Sequence, residues 1–303
     1  MDKTVKVNGK ELLLTNMDKV LWPQDNYTKG DLVLYYYEIS EYLLPHLKDR
    51  LFVMNRYPDG IEGESFYQKD CPEYAPEWIK TYPVYSEKKD RNIDYIVCND
   101  VETLVWLVNQ GCIEMHPWLS RTAHIEHPDI AVFDLDPMPP LGFDSVISVA
   151  LLVKEALGEF GLKGYPKTSG STGMHIYVPI EPKHTFSEVK EFVQFICRMI
   201  NRVYPDRTTM ERLIENREGK VYLDYLQNSG GKTMACQYSV RPHPGAPVSA
   251  PLTWDEVQGG KLDPGTFNIK TIKERVEDLG DLFEEVIAKK QDLNKFFAVN
   301  PKA

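Results

Sequence analysis

The fold is decided by Ile130-Ala131-Val132-Phe133-Asp134-Leu135-Asp136-Pro137, an apolar run of strand length that carries two carboxylates. Side chains alternate between the faces of a strand, so Asp134 and Asp136 lie on one face and Phe133 and Leu135 on the other. Such neighbouring carboxylates repel each other unless a cation lies between them. Hard oxygen ligands suit Mg²⁺ or Mn²⁺, which need one or two carboxylates plus substrate phosphates. The stretch predicts a metal-dependent phosphoryl-transfer site, although Asp-x-Asp also occurs by chance at strand ends.

Helical and extended patterns alternate around this stretch. Strands are predicted at 51–56, 95–98, 130–136, 175–180, 221–226 and 237–240. Helices are predicted at 28–43, 101–110, 146–160 and 185–203, with Thr28 and Thr185 as N-caps and Pro45 as a limit. The tail 271–297 predicts one or two amphipathic helices. The interleaving indicates a mixed α/β (α+β) protein with a central sheet flanked by helices.

Composition limits the classes of protein. The net charge of -10 argues against coating nucleic acid indiscriminately, but a local basic groove remains compatible with it. No apolar leader and no run of membrane-spanning length appear, so we expect a cytoplasmic protein without a membrane partner. The cysteines are scattered singly, which predicts neither structural zinc nor disulfides: Cys71, Cys98, Cys112, Cys197, Cys236.

A loop of small residues precedes the strand at 175–180: Lys167-Thr168-Ser169-Gly170-Ser171-Thr172-Gly173-Met174-His175. Its glycines allow the backbone to approach a ligand, and consecutive N–H groups with the hydroxyls of Ser169 and Thr172 would cradle phosphate oxygens. His175 would then face the bound phosphates. The alternative is a hairpin with a solvent-facing histidine.

Further polar residues could join the carboxylates. Asp224 lies in the apolar run 221–226 and is a candidate third metal ligand; the alternatives are a salt bridge or an exposed position. Arg217, Arg241 and His116 are candidates for stabilising phosphate charge, although each alone also fits a structural role. Three carboxylates with a Gly/Ser loop and a histidine match the needs of two-metal phosphoryl transfer.

Three motifs occur in order: Asp134-Leu135-Asp136-Pro137, Ser169-Gly170-Ser171-Thr172-Gly173-x-His175 and Leu223-Asp224-Tyr225. The set resembles the archaeo-eukaryotic primase superfamily, and most closely the polymerase domain of bacterial ligase D and its stand-alone relatives. The resemblance covers nearly the whole chain, from Leu14 through Ser249. It implies an archaeo-eukaryotic primase-like fold with a single catalytic domain over 1–303, with two lobes as an alternative and no ligase or nuclease module.

The resemblance also implies roles for residues at the nucleotide. Asp134, Asp136 and Asp224 would be catalytic and would bind two Mg²⁺ or Mn²⁺ ions, with no zinc. The residues implied for the nucleotide triphosphate are Ser169, Thr172, His175, His116, Arg217 and Arg241.

On the DNA side, Asn16, Lys19 and Lys29 match a pocket for the 5′-phosphate downstream of a gap. Lys29 falls in the first turn of the helix capped by Thr28, whose free N–H groups and positive dipole end would add to its charge. Phe66 or Tyr67 would stack on template or nucleotide bases, beside Arg56. Many relatives have Lys-Arg where this chain has Asn55-Arg56, which removes one cation from the expected DNA path.

The implied function is a DNA-directed nucleotidyltransferase that adds nucleotides, with ribonucleotides preferred, to 3′-hydroxyl ends at breaks and short gaps in non-homologous end joining. The implied partners are gapped or broken duplex DNA with a 5′-phosphate, NTPs or dNTPs, Ku and a separate DNA ligase, at a prokaryotic nucleoid. One alternative is a replicative primase subunit, which the lack of zinc-ligand cysteines disfavours. Another is a non-catalytic end-bridging module, which would have no use for three carboxylates facing phosphates.

Overall fold

A computed structural model of the chain describes residues 2–299. The strands are β1 (Lys3–Val7), β2 (Lys10–Leu14), β3 (Val20–Trp22), β4 (Tyr27–Thr28), β5 (Leu51–Arg56), β6 (Phe66–Gln68), β7 (Thr81–Ser86), β8 (Arg91–Val97), β9 (Cys112–Pro117), β10 (Ile130–Pro137), β11 (Tyr165–Thr168), β12 (Met174–Pro179), β13 (Thr208–Thr209) and β14 (Val221–Asp224). The helices are α1 (Lys29–Glu38), α2 (Ser40–Leu47), α3 (Val101–Asn109), α4 (Phe143–Glu159), α5 (Phe186–Val203), α6 (Trp254–Gly259), α7 (Ile272–Leu279), α8 (Glu284–Ala288) and α9 (Asn294–Val299).

The described chain divides into two compact units. The first runs to Ala123 and includes Thr233–Ser249 and Phe267–Asp278. The second comprises His124–Lys232, Ala250–Thr266 and the chain from Leu279. Within 2–299, no helix is long and apolar enough to cross a bilayer.

The first unit is built on β5, which pairs antiparallel with β6, β8 and β9, while β7 pairs with β8. Strand β5 is paired on both sides, and its residues from Leu51 to Asn55 are all buried. Helix α1 packs against α3. The strand pairs β1–β2 and β3–β4 lie outside this sheet.

The second unit is built on a sheet of order β11-β12-β10-β14-β13, antiparallel except for β13–β14. Strand β10 lies in its centre, which explains why its sequence is a nearly continuous apolar run. Phe133 points to the face on which α4 and α5 pack, with its ring centroid 6.3 Å from that of Phe192. The opposite face of β10 carries Asp134 and Asp136.

The mixed α/β prediction is confirmed, but one predicted helix is wrong. The pattern at 28–43 predicts a single helix limited by Pro45, whereas the structure has α1 and α2 meeting at Ile39. Pro45 lies inside α2. It is tolerated because Glu41 and Pro45 are exposed, so water can bind the Glu41 carbonyl that loses its helical donor.

The strand predicted at 237–240 is also wrong. Only an isolated antiparallel bridge joins Val240 to Val248 among the described residues there. Tyr238 has φ 65°, in the left-handed region, which breaks the extended conformation that a strand needs. The tail contains three short helices, α7 to α9, where one or two were predicted.

Candidate nucleotidyltransferase site

Asp134 is the centre of a polar row across the sheet of the second unit. On one side it lies opposite His175 of β12, and on the other opposite Asp224 of β14. Directly opposed residues in antiparallel strands have Cβ atoms roughly 4.5–5.5 Å apart. His175 Nε2 lies 3.3 Å from Asp134 Oδ1, and both side chains are buried. Register therefore brings together residues of three motifs that are far apart in the sequence.

Asp136 lies on the same face, one row further, opposite Tyr222. The Ser/Gly loop packs directly against this position. A Cβ built on Gly173 would lie 2.4 Å from the carbonyl oxygen of Leu135 and 3.0 Å from Asp136 Oδ1. Contacts that short are sterically forbidden, so this close approach requires glycine. The structure thus brings the second motif against the first.

Asp224 ends β14 and caps the 3₁₀ turn Tyr225–Asn228, so the strand predicted to continue to residue 226 is two residues too long. Its Oδ1 accepts hydrogen bonds from the Leu226 N–H (3.0 Å) and the Tyr222 hydroxyl (3.2 Å), and its Oδ2 accepts from Gln227 Nε2 (3.2 Å). Both carboxylate oxygens therefore accept from local donors, and one lone-pair site of Oδ2 remains for a further ligand.

The carboxylates provide the hard oxygen donors that Mg²⁺ and Mn²⁺ prefer. Across residues 2–299, however, no group of three or more His, Cys, Asp or Glu side chains is arranged to hold a metal ion. Asp134 and Asp136 alone are enough protein ligands for a magnesium site, because substrate phosphates and water usually provide the other ligands. Asp224 would be the third ligand, with its orientation fixed by the donors of the 3₁₀ turn.

The Ser/Gly loop differs from the predicted cradle. Ser169 Oγ accepts hydrogen bonds from the N–H groups of Ser171 (3.1 Å) and Gly173 (3.0 Å), and the Ser169 N–H donates to the Gly173 carbonyl (2.9 Å). Two of the amides expected to bind phosphate thus close the turn. Thr172 lies exposed at its tip, while Ser169 is buried. Phosphate binding by Ser169 and Thr172 stays a prediction.

Arg217 is connected to the acidic row through Tyr222. Its guanidinium carbon lies 3.6 Å from the Tyr222 ring centroid, and its Nε and Nη2 donate to the carbonyls of Glu211 and Arg212. The Tyr222 hydroxyl donates to Asp224. Burial, together with Asp224, raises the pKa of Tyr222, so this hydroxyl remains a donor. Sequence patterns give no signal for Tyr222, because aromatic residues are common in β-strands.

The first unit holds a second cluster, centred on the buried Glu114 of β9. Glu114 Oε1 accepts from Arg241 Nε (2.6 Å), and Oε2 accepts from the Tyr57 hydroxyl (3.0 Å) and from Asn55 Nδ2. His116 Nε2 lies 3.7 Å from Oε2. Burial opposes ionisation, but His116 and Arg241 outweigh it and lower the pKa of Glu114 to about 2.

His116 is itself buried, and neither of its ring nitrogens makes a hydrogen bond to the described residues. Its ring meets Tyr67 edge-on, with centroids 5.9 Å apart. Buried polar atoms without partners are rare because their desolvation is not compensated. The structure therefore brings together His116, Arg241 and Tyr67, and it adds Glu114, which the sequence shows only as an acid within a buried run.

Phe66 and Tyr67 are the outward aromatics of β6, with 46% and 61% of their surface exposed. Arg56 lies over the Phe66 ring at 5.4 Å and donates to Gln68 Oε1 and the Gln110 carbonyl. Exposed aromatic faces beside a cation are the usual elements of a base-stacking surface. Contact with bases stays a prediction for these three side chains.

The backbone brings Asn16, Lys19 and Lys29 into one region of the first unit. The Lys19 N–H donates to the Asn16 carbonyl (3.0 Å), and the Lys29 N–H donates to the Lys19 carbonyl (2.8 Å). The side chains have protein partners: Lys19 Nζ lies 2.6 Å from Asp59 Oδ1, and Lys29 Nζ donates to the Thr15 carbonyl at 2.6 Å.

One premise of the predicted phosphate pocket is wrong. The capping box of Thr28 and Asp31 is present as predicted, but the first N–H groups of α1 are occupied. The N–H groups of Lys29 and Gly30 donate to carbonyls of the preceding loop, and that of Asp31 donates to Thr28 Oγ1. Any anion here would meet lysine ammonium groups rather than helix amides.

Lys29 is nevertheless electrostatically suited to an anion. Burial, with repulsion from Lys19 and Arg56, lowers its pKa to about 8, although Asp2 acts in the opposite direction. A bound anion would reduce the electrostatic repulsion among these cations. Phosphate binding by Asn16, Lys19 and Lys29 stays a prediction.

The acidic row lies on one face of a sheet in a mixed α/β fold. Family membership identifies the chain as a nucleotidyltransferase of the primase-polymerase type. The family described as LigD, primase-polymerase domain, matches residues 28–283, and the chain belongs to this family. It is similar to the bifunctional non-homologous end joining protein LigD of Bacillus subtilis (39% identity, 93% of this chain, 45% of that protein). The multifunctional LigD protein of Pseudomonas aeruginosa is 33% identical over 88% of this chain and 31% of its own length.

Among solved structures, the polymerase domain from Mycobacterium tuberculosis ligase D in complex with DNA superposes with a TM-score of 0.85 at 29% identity. That match covers 92% of this chain and 99% of the other. The chain spans less than half the length of the two curated relatives named above.

Proposed function

We propose that the protein adds nucleotides, with ribonucleotides preferred, to 3′-hydroxyl ends at breaks and short gaps during non-homologous end joining. The observation that carries the proposal is the row in which Asp134 lies opposite both His175 and Asp224, with Asp136 on the same face. Family membership and a DNA-bound structural relative support it.

Asp134 and Asp136 are the proposed ligands of two Mg²⁺ or Mn²⁺ ions, and Asp224 is the third. When bound, such ions neutralise charge on the triphosphate and orient the attacking hydroxyl. The imidazole of His175, whose Nε2 lies 3.3 Å from Asp134 Oδ1, is assigned to the triphosphate. The remaining triphosphate residues are Ser169, Thr172, Arg217, His116 and Arg241.

The proposed DNA ligand is a gapped or broken duplex whose downstream 5′-phosphate is bound by Asn16, Lys19 and Lys29. Their mutual proximity and the depressed pKa of Lys29 support an anion site. Phe66, Tyr67 and Arg56 would contact bases. Ku and a DNA ligase are the proposed partners, because extension of an end requires that the ends be held and then sealed. We place the protein in the cytoplasm at the nucleoid.

The test is primer extension on a one-nucleotide gapped duplex, with a 5′-phosphate or a 5′-hydroxyl downstream and with NTPs or dNTPs. We expect faster extension with the 5′-phosphate and with NTPs. Extension that ignores the downstream end would favour a primase instead. Tight DNA binding without any extension, in either metal, would favour an end-bridging protein.

A further inference from the structure

Glu114 is a buried acid that the proposed chemistry does not itself use. Only 3% of its surface is exposed, yet it receives hydrogen bonds from Arg241, Tyr57 and Asn55 and lies within ion-pair distance of His116. A buried ion pair is weak evidence for stability, because desolvation of the charges offsets most of the attraction. A role in holding its basic partners, Arg241 and His116, explains the cluster better.

The contacts divide between the two carboxylate oxygens. Oε1 accepts from Arg241 Nε, which fixes the plane of the guanidinium, while Oε2 accepts from Tyr57 and Asn55 and lies 3.7 Å from His116 Nε2. Tyr57 and Asn55 are neutral, so they orient the carboxylate without competing for its charge. Arg241 and His116 are therefore the basic side chains that Glu114 positions.

The imidazole of His116 points to a ligand. Both of its nitrogens are buried and lack hydrogen-bond partners within residues 2–299, although the ring is fixed between Glu114 and Tyr67. A bound polar ligand would provide the hydrogen-bond partners that the His116 nitrogens lack. An anionic ligand would also interact favourably with the neighbouring arginine.

We propose that Glu114 is a positioning residue that holds Arg241 and His116 as a paired group for the nucleotide triphosphate. The inference rests on the proposed function, since it assumes that these two side chains bind the triphosphate. Glu114 does not touch the nucleotide. It acts by fixing the geometry of the two groups that do, which lowers the cost of ordering them on binding.

The test is Glu114→Gln, which keeps the shape of the side chain and removes its charge. We expect the KM for ATP to rise about tenfold, the scale of one lost charge-assisted hydrogen bond, while kcat changes less than about twofold. Binding of fluorescently labelled ATP should weaken equally, and gapped-DNA affinity should not change. Tyr57→Phe is the matched control: it removes a neutral donor to the same carboxylate and should change KM less than about twofold.

A double-mutant cycle separates positioning from general stability. In an Arg241→Ala, His116→Ala background, Glu114→Gln should have no further effect on ATP affinity, because the groups it positions are gone. An additive loss would overturn the inference. So would unchanged ATP affinity in Glu114→Gln alone. If Glu114→Gln does not fold, Glu114→Asp is the alternative variant. It keeps the negative charge but moves it away from Arg241, and it should give the same loss of ATP affinity.

Failure of the proposed function would give results different from those that overturn the role of Glu114. If wild-type protein binds ATP but does not extend a primer, the polymerase assignment fails while the cycle on ATP affinity still decides the role of Glu114. If Arg241→Ala and His116→Ala leave ATP affinity unchanged, the triphosphate assignment of these residues fails, and the inference fails with it.

Discussion

If Lys29 binds the 5′-phosphate as proposed, that binding should depend on pH in a range where few surface side chains titrate. Its pKa is lowered from 10.5 to about 8 by burial and by repulsion from Lys19 and Arg56. The charged form binds phosphate, so this contribution is nearly complete at about pH 7 and is lost as the pH rises through about 8. The 5′-phosphate has a second pKa near 6 and keeps its charge throughout.

The magnitude follows from the fraction of Lys29 that is protonated. With a pKa of about 8, that fraction is ~90% at pH 7 and ~10% at pH 9. If only the ammonium form binds, the affinity for a 5′-phosphorylated gapped duplex should fall about tenfold over this range. Fluorescence anisotropy at fixed salt measures this fall, and the matched 5′-hydroxyl duplex provides the baseline.

Lys29→Arg is the control variant, because a guanidinium stays charged to above about pH 12. The two side chains differ in shape, so the comparison is between the pH slopes of the two affinities. We expect no slope in the variant. A wild-type affinity that is constant from pH 7 to pH 9, or an equal slope in Lys29→Arg, would refute the assignment of Lys29 to the 5′-phosphate.

The remaining predictions concern the second unit. Asp134→Ala or Asp136→Ala should abolish extension while leaving gapped-DNA affinity largely intact; extension above about one tenth of the wild-type rate would contradict the metal assignment. Manganese should support extension at least as well as magnesium, and NTPs should be used at least as readily as dNTPs; single-turnover rates roughly tenfold faster with dNTPs would remove the ribonucleotide proposal. Gly173→Ala should lower the free energy of unfolding by ~1–3 kcal/mol, measured in thermal melts, and should slow extension, because the added Cβ would lie 2.4 Å from the Leu135 carbonyl oxygen. Gly158→Ala is the control, because its added Cβ would have no atom within 4 Å.

Several features of the site are local and could be predicted from the sequence. The alternation of Phe133, Asp134, Leu135 and Asp136 predicts which face carries the carboxylates, and β10 confirms the strand. The capping box at Thr28 is found as predicted, as is the one at Thr185, because each rests on two residues three positions apart. Signals of this kind need no knowledge of the rest of the chain.

Other features depend on partners that are distant in the sequence, and only the tertiary structure decided them. Pairing of β10 with β12 and β14 selects His175 and Asp224 as the neighbours of Asp134, and a shift by one residue would place other side chains there. The carbonyls that occupy the first amides of α1 come from a loop whose path no periodicity predicts. The sequence gives no signal for Glu114 for the same reason: its partner Arg241 lies 127 positions along the chain. Sequence periodicity determines which face a side chain occupies, whereas strand register and chain packing determine what it meets there.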